Sequence, residues 1–281
     1  MKKYNLTASQ KLLLYFQLLN RKKSDGNICG TFMIQEKVDF EKLNKAVNFV
    51  VEKNDSFRTR ICFSGLSFKQ YFEEYNPFDI EIIDVITPND VLKIEYTMNH
   101  EVFSMINTPL FKIKFYKFPD GTGGIICCMH HIISDAWTIG LAINEIMAYY
   151  CDDKQNLDTY PYYEHVEDEQ KYLYSSLIRK DEIFWKDFFN DTLPPPASLL
   201  GDINKEHLSR KANFYKVHLS KELIDHINEY CQEIKISVCS FFTGIFSLYI
   251  GSDLKSQEFL LDTIISNRAN YKDKHTTRFV C

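Results

Sequence analysis

His130 and His131 stand side by side, and Asp135 follows them after Ile132, Ile133 and Ser134. A neutral imidazole, with an ordinary pKa of about 6.5, can accept or share a proton near neutrality. Asp135 lies four residues after His131, a spacing too regular to ignore, though spacing alone does not make the two a dyad. Cys127, Cys128, His130 and His131 also offer metal-ligand atoms. Adjacent strand residues face opposite ways, however, and no second Cys/His pair has ligand spacing, so no metal centre is expected. Neither a glycine-rich phosphate loop nor a G-x-S-x-G elbow occurs.

The elements around these residues suit a site. Gly124-Ile125-Ile126-Cys127-Cys128-Met129 is an apolar run after the turn signal Asp120-Gly121-Thr122-Gly123-Gly124, which predicts a buried strand. That strand brings His130 and His131 to its carboxyl end, with His130 on the face opposite His131. Trp137, Ile139, Leu141, Ile143, Ile146 and Met147 then recur near a helical period over Ala136 to Tyr150.

Upstream, a helix is expected over Thr7 to Leu19, with Leu12, Leu13, Tyr15, Phe16 and Leu19 as its apolar face. A strand, Asn27 to Gln35, follows the Asp25-Gly26 turn, and a helix over Asp39 to Glu52 follows that. Strands are expected at Ile61 to Phe63, Phe68 to Glu73, Ile80 to Asp84 and Phe111 to Phe118, with a helix over Val91 to Glu101. Downstream come the irregular Tyr160-Pro161-Tyr162-Tyr163-Glu164-His165 and a charged helix, Val166 to Phe189, ended by Pro194-Pro195-Pro196. Trp137 and the tyrosine cluster read as packing residues. A strand over Asn213 to Leu219, helices over Lys221 to Glu233 and Val238 to Ile250, and a strand over Glu258 to Ile265 complete the pattern. This order predicts an α/β (α+β) protein of two lobes: 1–190, a Pro-rich linker at 191–212, and a second lobe from 213 to 281.

With 281 residues, 45% hydrophobic and 25% charged, the composition is that of a globular protein. A formal net charge of -5 argues against nucleic acid as a partner. No secretory signal opens the chain, and no apolar run reaches the ~18 residues that span a bilayer. The eight cysteines include no C-x-x-C pair, so a cytoplasmic protein with reduced thiols is expected.

Taken together, these segments resemble the condensation domain of nonribosomal peptide synthetases, within the chloramphenicol acetyltransferase-like acyltransferase superfamily. His130-His131-Ile132-Ile133-Ser134-Asp135-Ala136 matches that family's H-H-x-x-x-D-G motif in all but the last residue. Leu6-Thr7-Ala8-Ser9-Gln10 is similar to its opening S-x-A-Q helix, and Asp55-Ser56-Phe57-Arg58-Thr59 to its E-x-L-R-T element. Phe103 to Leu110 resembles the segment ending in P-L, Tyr163 to Gln170 echoes Y-x-D-Y-A-x-W-Q, and Ile264-Ile265-Ser266-Asn267-Arg268 resembles the V-x-x-R element. Phe279-Val280-Cys281 falls where the family has F-V-N-T, so the resemblance implies a second lobe that is C-terminally incomplete.

The resemblance implies two lobes arranged in a V, and amide formation between a carrier-bound acyl or peptidyl thioester and an amine. Substrates would arrive on phosphopantetheine arms of carrier domains, with neighbouring synthetase domains as further partners and no cofactor bound for chemistry. His131 matches the catalytic histidine, as general base or as a group positioning the amine. His130 is read as structural. Asp135 is read as holding the loop against an arginine, for which Arg58 and Arg268 are the two candidates, since a buried carboxylate needs a partner. Ala136 replaces a glycine that serves either a positive φ or close approach of the donor arm. His165 stands where the family often has Asp. Two other readings are a free-standing acyltransferase of the superfamily and a non-catalytic lobe that binds carriers or partners.

Overall fold

The computed structural model describes residues 2–153, 159–190, 193–194, 216–254, 258–261, 263, 268 and 271–277. In chain order the first elements are β1 (Tyr4–Asn5), α1 (Ala8–Leu19), β2 (Asn27–Ile34) and α2 (Phe40–Lys53). A 3-10 turn (Asp55–Arg58) leads to β3 (Thr59–Ser64), β4 (Ser67–Phe72), β5 (Ile82–Asp84) and α3 (Pro88–His100). Then come β6 (Phe111–Lys117), β7 (Gly123–His130), α4 (Ala136–Tyr150), α5 (Tyr162–Leu173) and α6 (Ser176–Phe189). The last are α7 (Lys221–Glu233), α8 (Val238–Leu254) and the short α9 (Tyr271–Lys274). The chain forms two compact units, one of Met1–Lys180 with Ile265–Cys281, the other of Asp181–Ile264.

In the first unit β7 sits inside a four-stranded sheet of order β2-β7-β6-β5. It pairs antiparallel with both β2 and β6, and β5 joins β6 in parallel. All eight β7 residues are buried, which explains why the sequence there is a continuous apolar run and not an alternation. Ile126 and Cys128 pack with Leu14, Val91 and Met98 from α1 and α3. Ile125, Cys127 and Met129 pack with Leu43, Val47, Val50, Ile139 and Ile146 from α2 and α4. Helices thus cover both faces, and both sides of β7 become core. A second sheet, β1-β4-β3, lies in the same unit.

Three expectations need correction. The buried residues of α1 are Gln10, Leu14 and Gln17, whereas Leu12 and Leu19 are 72% and 86% exposed. Two buried amides take that face because they satisfy loop carbonyls, as described below. Gly123 and Gly124 belong to β7 and not to the preceding turn. A Cβ at Gly124 would stand 1.9 Å from the Phe32 carbonyl oxygen, so glycine is needed for the close approach of β2. The charged helix is two helices, and the first starts at Tyr162. Asp55, far away in sequence, accepts from the Tyr162 and Tyr163 amides at 2.7 and 3.2 Å and so caps α5. Ser175 divides the two helices by donating to Tyr172 O and accepting from Leu177 N.

In the second unit α7 and α8 form at the expected positions, α8 running on to Leu254. Of the expected strand Asn213 to Leu219, residues 216–219 are described and lie outside any strand. Most of the linker at 191–212, part of the strand Glu258 to Ile265, and Phe279 to Cys281 lie outside the described residues. Among the described residues no single helix is long and apolar enough to cross a membrane.

Candidate functional site

The end of β7 passes into a tight turn before α4. His131 N donates to Gly26 O at 2.7 Å, Ile133 N to His130 O at 3.1 Å, and Ser134 N to His131 O at 3.4 Å. Ser134, fully buried, returns its hydroxyl to His130 O. The backbone that carries the two imidazoles is therefore held by hydrogen bonds at both residues.

His131 is half-buried, and its Nδ1 lies 3.0 Å from Ser134 O. A carbonyl can only accept, so this contact assigns the proton to Nδ1 and leaves Nε2 as the basic atom. His130 has the reverse tautomer. Its Nδ1 accepts from Ile132 N at 3.1 Å, so Nε2 carries the proton, 3.4 Å from Gln17 Oε1. Burial first, and the neighbouring His131 second, push the His130 pKa down to about 4, so this ring stays neutral at physiological pH.

Asp135 caps α4 by accepting from Thr138 N at 2.7 Å. Arg268 Nη2 reaches both Asp135 oxygens, at 3.1 and 3.0 Å, and its Nη1 donates to Thr276 O at 2.6 Å. Of the two arginines, Arg268 is thus the partner, with its side chain 1% exposed. Arg58 is occupied elsewhere, donating to the carbonyls of Val51, Glu52 and Glu73 and so capping the end of α2. Ala136 is the first residue of α4 and exposed, with helical and not positive φ, so no backbone strain arises from the missing glycine. Trp137 is half exposed and donates to Lys274 O, Tyr162 is core, and His165 stacks on Tyr162 with ring centroids 5.9 Å apart.

Residues outside the motif also hold it. Gln10 Nε2 donates to Ile132 O at 3.3 Å and exchanges amide bonds with Gln70. Next to Thr276, whose carbonyl Arg268 bonds, the Thr277 hydroxyl meets Ser56 and donates to Asn54 Oδ1 in a buried cluster that reaches the motif by way of Arg268. Gln10 lies in the S-x-A-Q-like segment, but no hydrophobic period marks it; Ser56 and Thr277 carry no local signal. Among the described residues no group of three or more His, Cys, Asp or Glu side chains is placed to hold a metal ion. The described cysteines are all free thiols, and burial pushes the Cys127 thiol up to about 12. The arrangement can therefore accept a proton at a fixed imidazole nitrogen, on a loop tied down by an ion pair.

The family model described as Condensation domain matches residues 1–280. A plipastatin synthase polypeptide of Bacillus subtilis (strain 168) is 25% identical over 280 residues, covering 96% of this chain and 11% of that protein. Surfactin synthase subunit 1 of the same strain is 25% identical, covering 96% of this chain and 8% of its own length. The chain therefore spans about a tenth of these relatives. Among solved structures, the condensation domain from Monacolin K polyketide synthase MokA has a TM-score of 0.83 at 16% identity, covering 99% of this chain and 66% of that one. The first condensation domain of the calcium-dependent antibiotic synthetase, in complex with substrate analogue 2a, gives 0.81 at 14% identity, covering 100% and 67%. The mixed α/β architecture is that of these domains.

Proposed function

The chain belongs to the Condensation domain family, and from that premise we propose that it joins a carrier-bound acyl or peptidyl thioester to an amine in nonribosomal peptide synthesis. The observation that carries the proposal is the His131 ring, whose Nδ1 donates to Ser134 O and whose Nε2 is thereby the proton acceptor. The amine nitrogen attacks the thioester carbonyl carbon, and the carbonyl electron pair moves onto oxygen. Collapse restores the carbonyl and breaks the C–S bond, so sulfur leaves with its electron pair. The proton lost by the amine passes through Nε2 to that sulfur, whose ordinary pKa of about 8.5 suits it to receive it. Products are an amide and a free thiol.

Both substrates ride on phosphopantetheine arms of peptidyl or acyl carrier domains, with neighbouring synthetase domains as further partners, in the cytoplasm. Asp135 and Arg268 hold the loop and take no part in the bond changes. The test uses two carrier proteins, one loaded with an acyl thioester and one with an aminoacyl thioester, and intact-mass detection of the condensed product. Product from the wild type and none from His131→Ala is expected. Product from His131→Ala at the wild-type rate overturns the role of His131. No product from folded wild type overturns amide formation itself.

A further inference from the structure

Both histidines are gripped by the last turn of α1 and the connection from it to β2, which lie outside the H-H-x-x-x-D motif. Gln17, 4% exposed, donates from Nε2 to Asn20 O at 3.3 Å and Lys23 O at 2.9 Å. Those two bonds fix its amide, and the opposite atom, Oε1, then faces His130 Nε2. The proton on that nitrogen needs a buried acceptor, and Gln17 supplies it. Gly26 acts at the other end of the connection. Its carbonyl accepts from His131 N, and a Cβ on it would stand 2.6 Å from His130 Nε2 and 3.0 Å from Cε1. Neither side can give way freely. Asn27, the next residue, donates its side-chain amide to Asn99 O and Glu101 O at the end of α3. The His130 ring meets Phe103 edge-on, with centroids 6.1 Å apart.

We propose that Gln17 and Gly26 are positioning residues for His131, acting through the His130 ring and the His131 backbone. The inference rests on the catalytic reading of His131. A displaced His130 ring loses its bond to Ile132 N, which lies within the turn that orients His131. Gly26 also bonds the His131 backbone directly, so the same loop sets both the ring's support and its point of attachment. Displacement of a reacting group by about 1 Å is enough to cost on the order of 10²-fold in turnover.

The experiment compares wild type, Gly26→Ala, Gln17→Ala, His130→Ala and the Gly26→Ala/His130→Ala double variant. Readouts are melting, the imidazole NMR resonances of His131, and kcat and KM for amide formation. Gly26→Ala and Gln17→Ala are expected to shift the His131 resonances and to lower kcat by about 10- to 10²-fold, with KM within about two-fold. In the His130→Ala background Gly26→Ala should add little, because the ring it strikes is gone. Folded Gly26→Ala and Gln17→Ala proteins with unmoved His131 resonances overturn the proposal, as does an undiminished effect of Gly26→Ala in the double variant. If Gly26→Ala fails to fold, Gln17→Ala, which adds no atoms, decides by the same two readouts. The resonances are readable in protein without turnover. A wild type that makes no amide, yet whose His131 resonances move in the variants, denies the reaction while supporting the positioning.

Discussion

Replacing Asp135 by alanine removes two supports at once, and the structure sets their size. The first is the α4 cap, the 2.7 Å bond from Thr138 N, whose loss costs about 1 kcal/mol. The second is the pairing of Arg268, whose side chain is 1% exposed and so keeps a buried charge when its partner goes. Breaking a buried pair from one side costs about 3–5 kcal/mol. Here one nitrogen, Nη2, serves both carboxylate oxygens, which is weaker than a two-nitrogen fork. Arg268 also keeps its bonds to Thr276 O and Thr138 Oγ1. The lower end of that range therefore applies to the pair, and with the cap Asp135→Ala should cost about 4 kcal/mol in all. For a unit of about 200 residues that lowers Tm by roughly 8–16 °C. Asp135→Asn, which keeps an oxygen for Thr138 N, should lose less. Thermal melting of the three proteins, followed by circular dichroism, is the assay. An Asp135→Ala protein melting within about 2 °C of wild type would refute the argument, because neither cap nor ion pair would then be supporting the loop.

Acidification tests the burial of His130. Its folded pKa of about 4 lies below the ordinary 6.5, so between these values the unfolded chain binds a proton that the folded chain refuses. Stability from this group is then present above pH 6.5 and lost as pH falls, by about 2 kcal/mol between pH 7 and 5; urea titrations should show that His130→Gln lacks this share. Gly124→Ala, with its Cβ 1.9 Å from Phe32 O, should leave little soluble protein, whereas Gly140→Ala, with nothing within 4 Å in α4, should gain about 0.5–1 kcal/mol in the same titration. Ala136→Gly should bring no gain in Tm, since the position is helical; a rise would mean strain where the structure has none.

The strand that carries the site was legible because its pattern is local, although its supports are not. Gly124 to Met129 is apolar on both faces, so it reads as a strand covered on two sides, whereas the capping of α4 by Asp135 emerged only with the structure. The inner face of α1 was not legible, because hydrophobic periodicity is blind to Gln10 and Gln17, whose burial is balanced by carbonyls of Ile132, Asn20 and Lys23. Chemistry demanded a cation for Asp135 but could not choose it. The choice depends on what already occupies the donors of Arg58, and those serve the Val51 and Glu52 carbonyls just upstream and the Glu73 carbonyl after β4. Asp55 shows the same limit. It caps α5 from 107 residues away, and no pattern around either segment announces that.

The division of labour between the adjacent histidines follows from one physical difference. His130 closes β7 with its ring against Gln17 and Phe103, where burial excludes its charged form, while His131 is half-buried in the turn that follows the strand. Had both rings been solvated, a proton arriving on one would meet the charge of the other a few ångströms away. With His130 kept neutral, a proton taken by His131 meets no like charge from its neighbour. The opposite tautomers serve the same end. Ile132 N donates to one Nδ1 and Ser134 O accepts from the other, so each ring is fixed by the very turn it anchors. A doublet of histidines is therefore not a doubled base. On the proposed reading it is one base and one buried strut, and the end of β7 at His130, with His131 opening the turn, is where the two environments part.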